Sequence, residues 1–597
     1  MKPLISVLIP TRNRREVLLS TLGSLAHQSA SPDSYEVIVV ADGCTDGTPQ
    51  AVRALAETMP WKIHDDSPDG MSRSRLRCIE QEWAGASAAR NRALYAARAP
   101  LVLFLDDDIQ ADPDLIAAHI ARHDAHMQPS VLSPQSSVLS LAGTVVQGRI
   151  IPVEGRGSLH REVARSLEYH HQRLLSGTLS FMDLRTANVS VPREAALQVG
   201  GLAEDLFYGE DSEFGYRLHS LGMPFVYAPE ASCLHNDPKS AHALLMDIFK
   251  WGQGCVHLYE RWPDLLPHLP LSAYGETSLR ARLTRGLLLK LSELRTFSRL
   301  IEVACERWAT SDAGNRWSRP VFDLVRSYYL WRGIRSQVRD RKQWANFTDP
   351  GVVVLMYHSI SSRPIADRFA VPRWQFGRQM WLLRAMRRRV MPLSDCMDVW
   401  EAGRMSPPRT VIITFDDGYR DNLTQAWPVL ARHGYPATLF FVTEMAGGIN
   451  SWEPPGFVRK PLLSWREAAI LDSNGFQVES HGTHHSDLTT ADPETLHHEL
   501  VESRRQLEGH LHRPATLFAY PYGGYDQFVV EQTQEAGYRA AFTTHQGTNT
   551  LRTPRHALKR VEVSGHDNLL MFALKVWLGE DPFRRFQRRR RKAAHDE

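Results

Sequence analysis

At 597 residues the chain is several times the size of one ordinary domain, which predicts at least two separate hydrophobic cores. Its 43% apolar and 23% charged residues describe an ordinary globular chain, and a net charge of +3 is too small to imply a nucleic-acid partner. Six cysteines, Cys44, Cys78, Cys233, Cys255, Cys305 and Cys396, stand without CxxC spacing, which speaks against a disulfide framework or a cysteine zinc site and fits a reducing compartment.

The N-terminus, "MKPLISVLIPTRNRREV", reaches charge after a few apolar residues and offers no signal-peptide core. No apolar run attains the roughly 18 residues of a membrane span. The expectation is a cytoplasmic protein whose contact with the inner face of the membrane is at most peripheral. From Met1 to about Val226, runs such as "LISVLIP", "YEVIVVADG" and "LVLFLDDD" alternate with helical patterns. Runs apolar throughout predict strands buried on both faces, hence a mainly parallel, Rossmann-like sheet under helices. Ligands in such sheets bind beyond the carboxyl ends of the strands, where Thr11, Asp42 and the Asp106–Asp108 cluster lie.

Between Leu271 and Arg341 the pattern turns helical. Leu279, Leu283, Leu287, Leu291, Leu294 and Ile301 recur among Arg280, Arg282, Arg285, Arg295 and Arg299. Such a segment serves either as a linker packing its leucines on a neighbouring domain or as a basic helix on a bilayer surface. "NFTDPG" marks the next boundary, after which "VVVLMYHSI", "TVIITFDDG", "ATLFFVT", "FQVESHG" and "TLFAYPYGG" read as strands ending in His, Asp or Tyr. This is the pattern of a second α/β domain, a barrel with its site at one rim. The expected bodies are 1–265, a helical linker 266–348, 349–575, and a basic tail 576–597 that reads as solvated and disordered.

Departure of a diphosphate from a sugar nucleotide calls for a divalent cation on the phosphates and a base on the attacking hydroxyl. Asp106 and Asp108, flanking Asp107, are oxygen ligands suited to Mg²⁺ or Mn²⁺, although three acids also suit a strand cap before the turn at Asp112 and Pro113. "SVLIPTRNR", "VIVVADGCTDGT", "AGASAARNRAL", "VLFLDDDIQADP", "TANVSVPREAALQVGG" and "YGEDSEFGYRLHSLG" stand in the order found in family 2 glycosyltransferases of the GT-A fold, which this segment resembles. The resemblance implies that Thr11 and Asp42 contact the nucleoside, Arg90 lies near the donor, and Asp106 and Asp108 form the metal site. It makes Asp211 the base for inverting transfer. His235 is either a further ligand or a structural histidine. The implied partners are a nucleotide sugar donor and a saccharide or lipid-linked saccharide acceptor. Ala41 departs from the family pattern, as does the absence of Q-x-x-R-W, which points to adding one or a few sugars.

Removing an acetyl group from an amide nitrogen requires an activated water and support for the tetrahedral oxyanion, both within reach of a zinc-type ion with three protein ligands. "ESHGTHHSDL" offers His481 and His485, and "TFDDG" offers two carboxylates. Together with "YHSI", "FAYPYGGYD" and "GYRAAFTT", these resemble the NodB-like polysaccharide deacetylases of carbohydrate esterase family 4, whose fold is a distorted (β/α) barrel. The resemblance implies Asp416 as base, Asp417, His481 and His485 as ligands of Zn²⁺ or a similar ion, and the backbone N–H of Tyr522 facing the oxyanion. Ala519 replaces the arginine that orients the base in the family, and no L-x-H segment supplies the acid. His545, His556 and His566 are candidates without that context. The expected protein is therefore a bifunctional enzyme of glycan synthesis; the alternative is a transferase with a decayed, sugar-binding second half.

Overall fold

The computed structural model describes residues 3–582 except 59–60, 64–72, 128–142, 153–154, 156, 178, 237–238, 277–278, 312–317, 364–366 and 455–457, so the tail from 583 onward lies outside the described residues. Contacts divide the chain into two compact units, Met1–Arg261 with Thr284–Gln337, and Trp262–Leu283 with Val338–Glu597. The stretch expected as a linker, 266–348, is thus shared between them.

The first unit is built on an eight-stranded sheet. Its strands are β1 (Ile5–Thr11), β2 (Tyr35–Asp42), β3 (Leu76–Gln81), β4 (Leu101–Leu105), β5 (Ile109–Ala111), β6 (Val145–Pro152), β7 (Asn188–Pro192) and β8 (Phe225–His235), in the order β3-β2-β1-β4-β7-β6-β8-β5. The first four are parallel, and β7 enters antiparallel to both β4 and β6. Alternation along β1 sends Ile5, Val7 and Ile9 into one core and Leu8 into another, so both faces are covered and only the strand ends remain for chemistry. Helices α1 (Arg15–Leu25), α2 (Ala86–Ala96), α3 (Ser158–Ser176) and α4 (Glu210–Ser220) follow the sheet, and α5 (Ala241–Arg261), α6 (Arg295–Thr310) and α7 (Ser318–Gln337) extend it.

The pairing of α5 with α7 depends on two glycines. A Cβ on Gly333 would run into the carbonyl oxygen of Phe249, and one on Gly252 into that of Leu330. Missing side chains let the two backbones touch. The basic segment also differs from the amphipathic reading. Arg285 is buried, donating to Ser327 Oγ at 3.0 Å with its guanidinium 5.0 Å from the Trp331 ring, while Leu283, Leu287 and Leu294 are exposed rather than packed.

The second unit holds an eight-stranded parallel sheet whose main path is β9 (Val353–Tyr357), β10 (Thr410–Phe415), β11 (Ala437–Phe441), β12 (Phe476–Ser480), β13 (Leu517–Ala519), β14 (Ala540–Phe542) and β15 (Val561–Glu562), in the order β14-β13-β12-β11-β10-β9-β15, with the short strand Arg389–Val390 pairing with β10 off that path. A parallel bridge between Phe542 and Leu558 brings the two ends of that order together, which gives the distorted barrel. Leu355, Ile413, Leu439 and Val478 face one core, and Val354, Ile412 and Phe440 the other.

Alanine normally stabilises a helix over glycine by about 0.5–1 kcal/mol. Gly333→Ala should instead destabilise the first unit by about 1–3 kcal/mol through overpacking. Denaturant unfolding of the full chain checks the sign.

Candidate active sites

In the first unit the carboxyl ends of β1, β2 and β4 open into a cleft of about 330 Å³ lined by Thr11, Arg14, Asp42, Trp83, Arg90 and Asp106 to Asp108. Thr11 Oγ1 donates to Asp107 Oδ2 at 2.7 Å, and Arg14 bridges Asp107 Oδ1 at 2.9 Å and Asp108 Oδ2 at 3.1 Å. Burial, with Asp106 and Asp108 alongside, pushes the Asp107 carboxyl up to about 6 against the pull of Thr11 and Arg14. Arg90 donates to Asp106 Oδ1 at 2.5 Å. Burial opposes its charge, but Asp106, Asp211 and Glu210 outweigh that and hold the guanidinium above its ordinary value. Arg90 therefore couples the acids after β4 to those opening α4. There Asp211 accepts from Thr186 Oγ1 at 2.7 Å, and burial beside Asp211 pushes Glu210 up to about 7.

Asp106, Asp108 and His235 present ligand atoms within 4.8 Å of one another, with His235 Nε2 3.2 Å from Asp108 Oδ1. Hydrogen bonding to Asp108 lifts the His235 imidazole above its usual value. Two carboxylates and one imidazole are donors that fit Mg²⁺ or Mn²⁺. Asp42, expected to meet the nucleoside, accepts from the backbone N–H groups of Ala84 and Gly85 at 2.8 and 2.9 Å and from Gln81 at 2.9 Å. It fixes the loop carrying Trp83, whose exposed ring lies 4.8 Å from the Arg12 guanidinium.

In the second unit a cleft of about 400 Å³ collects His358, Asp416, Asp417, Trp452, His481, His485, Tyr522 and Glu562 from the ends of successive strands. The backbone of Asp416 continues the sheet, donating to Tyr357 O at 2.9 Å. At Asp417 it turns left-handed, with φ 73°. His485 (φ 64°) and Tyr522 (φ 57°) do likewise, so three of the seven described non-glycine residues with positive φ line this cleft. Strained backbone of this kind persists where the surroundings over-determine it.

The turn aims the two acids apart. Asp417 Oδ1 stands 3.5 Å from His481 Nε2 and 3.3 Å from His485 Nε2, and the three ligand atoms cluster within 4.8 Å. Burial would raise the Asp417 carboxyl, but hydrogen bonding to the two histidines holds it well below the usual carboxylate range. His481 Nδ1 donates to the Ala519 carbonyl at 2.8 Å, which orients the ring so that Nε2 points at Asp417. His485 is packed between Trp452, stacked at 4.7 Å, and Tyr522, edge-on at 4.6 Å; burial pushes its imidazole toward the neutral form. One carboxylate and two imidazoles with an open side fit a zinc-type ion.

Asp416 has a partner that spacing did not reveal. Arg560, wholly buried just before β15, donates Nη1 to Asp416 Oδ1 at 2.6 Å and Nε to the Thr543 carbonyl at 3.1 Å. The arginine facing Asp416 is thus supplied from 144 residues away instead of from position 519. Its only trace in the sequence is a cation leading an apolar run, "LKRVEV". His358, the histidine inside "YHSI", also lines the cleft; its carbonyl accepts from Asn422 at 2.8 Å, and the next residues are clasped by Asp421. Among the described residues its buried Nδ1 has no hydrogen-bond partner. His545, His556 and His566 are absent from the residues lining the cleft.

Residues 6–135 match the family Glycosyl transferase family 2 and 102–310 its family group 2, and 403–541 match the family Polysaccharide deacetylase. The chain joins a family 2 glycosyltransferase domain to a polysaccharide deacetylase domain. It is 31% identical over 288 residues to validoxylamine A glucosyltransferase of Streptomyces hygroscopicus subsp. limoneus, covering 45% of this chain and 58% of that protein. It is 24% identical over 230 residues to poly-beta-1,6-N-acetyl-D-glucosamine N-deacetylase of Staphylococcus aureus (strain MSSA476), covering 38% of this chain and 77% of that protein. All six cysteines are free, and no helix among the described residues is long and apolar enough to cross a membrane.

Removing the cation from the Asp416–Arg560 pair leaves a buried charge uncompensated. Arg560→Met should destabilise the deacetylase domain by about 3–5 kcal/mol. Adding Asp416→Asn to it should recover part of that loss in denaturant unfolding.

Proposed function

We propose that the first unit transfers a sugar from a nucleotide donor, with inversion, to a saccharide or lipid-linked saccharide, and that the second removes an acetyl group from an N-acetyl sugar. In the transferase, Asp106 and Asp108, with His235, would hold Mg²⁺ or Mn²⁺, which supplies charge to the departing diphosphate. Thr11, Asp42 and the Trp83 loop frame the nucleoside, and Arg90 keeps the donor acids and Asp211 in one electrostatic unit. Asp211 accepts the proton of the acceptor hydroxyl.

In the deacetylase, Asp417, His481 and His485 would hold a zinc-type ion, which polarises the amide carbonyl and acidifies water. Asp416 takes the proton of the attacking water while Arg560 keeps the carboxylate aimed and charged. The water oxygen bonds to the acetyl carbon, the backbone N–H of Tyr522 faces the oxyanion, and the C–N bond breaks as His358 protonates the leaving nitrogen. The products are acetate and a free amine. The buried Asp416–Arg560 pair carries this reading, because a decayed sugar-binding module has no use for a desolvated base held ready; it answers the objection raised by Ala519. Tethering the two activities raises the effective concentration of one step's product for the next.

Two assays on the full chain test the halves separately. Asp211→Asn should reduce nucleoside diphosphate release by about 10²- to 10⁴-fold and leave acetate release unchanged. Asp416→Asn should do the reverse on an N-acetylated oligosaccharide. Acetate release by the wild type that survives Asp416→Asn would remove the base assignment, and none from the wild type would favour the binding-module reading.

A further inference from the structure

Among the described residues, three groups of histidines and acids bring one ligand atom each within 4.8 Å of one another. Two are the centres described above. The third, Glu444 with His484 and His498, lies on the surface of the second unit and takes no part in either proposed reaction. Three elements assemble it. Glu444 sits in the 3₁₀ turn Thr443–Met445 after β11, His484 in the loop between His481 and His485, and His498 opens a π turn, His498–Glu502, between the helices Pro493–His497 and Ser503–Leu511. Turns of that kind inside helices recur at functional sites. The backbone N–H groups of Thr443 and Glu444 donate to the Gly482 and Thr483 carbonyls at 3.1 Å each. Buried Glu499 accepts from the backbone N–H groups of Thr483 and His484 at 2.7 and 3.2 Å and from Ser486 Oγ at 2.6 Å. The frame carrying the three side chains is thus tied together by bonds that none of them makes through its own polar end.

His484 Nε2 stands 3.0 Å from Glu444 Oε2 and His498 Nε2 3.0 Å from Glu444 Oε1, with the two rings 27° from parallel. Both oxygens of one carboxylate are met by imidazole nitrogens from separate elements. Hydrogen bonds and ion pairs on a surface return little for the side-chain freedom they cost, whereas an ion held by all three groups returns more. Ligand atoms on a tetrahedral ion with bonds of about 2.0–2.1 Å lie about 3.3 Å apart, so these side chains need only small rotations to bind one. Outer partners of the sort that ligating groups have are in place: His484 Nδ1 faces the Thr483 hydroxyl at 3.0 Å, and Gln506 Nε2 donates to Glu444 Oε1 at 3.2 Å. Two imidazoles and a carboxylate suit Zn²⁺ and its neighbours, not Mg²⁺ or Ca²⁺, which favour oxygen. We propose that Glu444, His484 and His498 form a second zinc-class site on the deacetylase domain, which clamps the loop presenting His481 and His485 to the helix at His498. The imidazoles are 51% and 49% exposed, so the ion exchanges with the medium and the clamp closes when zinc is available. The inference goes beyond the deacetylase reading and does not require it, since it is measured without substrate.

Equilibrium dialysis of the full chain against zinc tests it, in the wild type and in Asp417→Asn, where the buried centre is disabled. In both backgrounds His484→Ala and His498→Ala should each lose one equivalent of zinc, and the double variant should also lose only one, because both side chains serve one ion. His497→Ala, an exposed neighbour outside the cluster, should lose none. In Asp417→Asn, zinc at ten times its dissociation constant should slow amide exchange over Gly482–Ser486 by about tenfold, and the histidine variants should abolish that slowing. Denaturant unfolding in a chelator, unchanged by the surface substitutions, shows that the variants are folded. The proposal is overturned if neither histidine variant loses zinc, or if the losses sum to two in the double variant, which would mean adventitious ions on separate histidines. It is equally overturned if an equivalent is lost from the wild type but not from Asp417→Asn, which would make both residues supports of the buried centre only, or if zinc binds and loop exchange does not slow.

Discussion

Two adjacent carboxylates in a buried pocket are tolerated only when each has its own source of compensation, and the left-handed backbone at Asp417 is what provides it. A regular extension of β10 would place side chains on alternate faces without choosing their partners. The turn instead sends Asp416 to Arg560 and Asp417 to His481 and His485. Two like charges in sequence are thereby given separate counterparts, a guanidinium for one and two imidazoles for the other. The remaining features of the pocket serve that separation: Ala519 orients the ring of His481, Trp452 and Tyr522 brace His485, and Asp421 and Asn422 clasp the segment that presents His358.

The transferase domain meets the same constraint with different means. Its sheet is apolar on both faces, so acids concentrate beyond the strand ends, where three in succession would repel. Arg14 and Arg90 divide them between two cations, and His235 approaches Asp108 from the far strand β8. Arg90 also reaches the field of Asp211, so that the acids after β4 and those opening α4 are linked through one buried guanidinium.

Much of this was legible in the sequence. Continuous apolar runs predicted the parallel part of the first sheet and the whole of the second, because burial on two faces leaves no alternation to read; the antiparallel entry of β7 into the first sheet carries no such signal. Residues that follow a strand directly, such as Asp106, Asp416 and His481, were found because a strand end fixes where a side chain begins. What escaped notice depends on distant pairing. Arg560 meets Asp416 across the closing edge of the barrel, and Arg14 meets Asp107 from the start of α1; neither contact has a spacing that a one-dimensional reading detects. His358 stood inside a motif already singled out, but only the pocket reveals that it faces the acids. The arginines between Leu271 and Arg341 misled for a related reason: periodicity marks a helix face without saying which face is covered, and Arg285 proved buried while Leu287 and Leu294 did not.

The division of labour between Asp416 and Asp417 is tested most directly by counting metal. Full-length wild type and single asparagine variants at the two positions would be loaded with zinc, desalted and analysed for bound metal. The account predicts that Asp417→Asn loses one equivalent relative to wild type and that Asp416→Asn loses none. Equal loss in both, or equal retention, would contradict it.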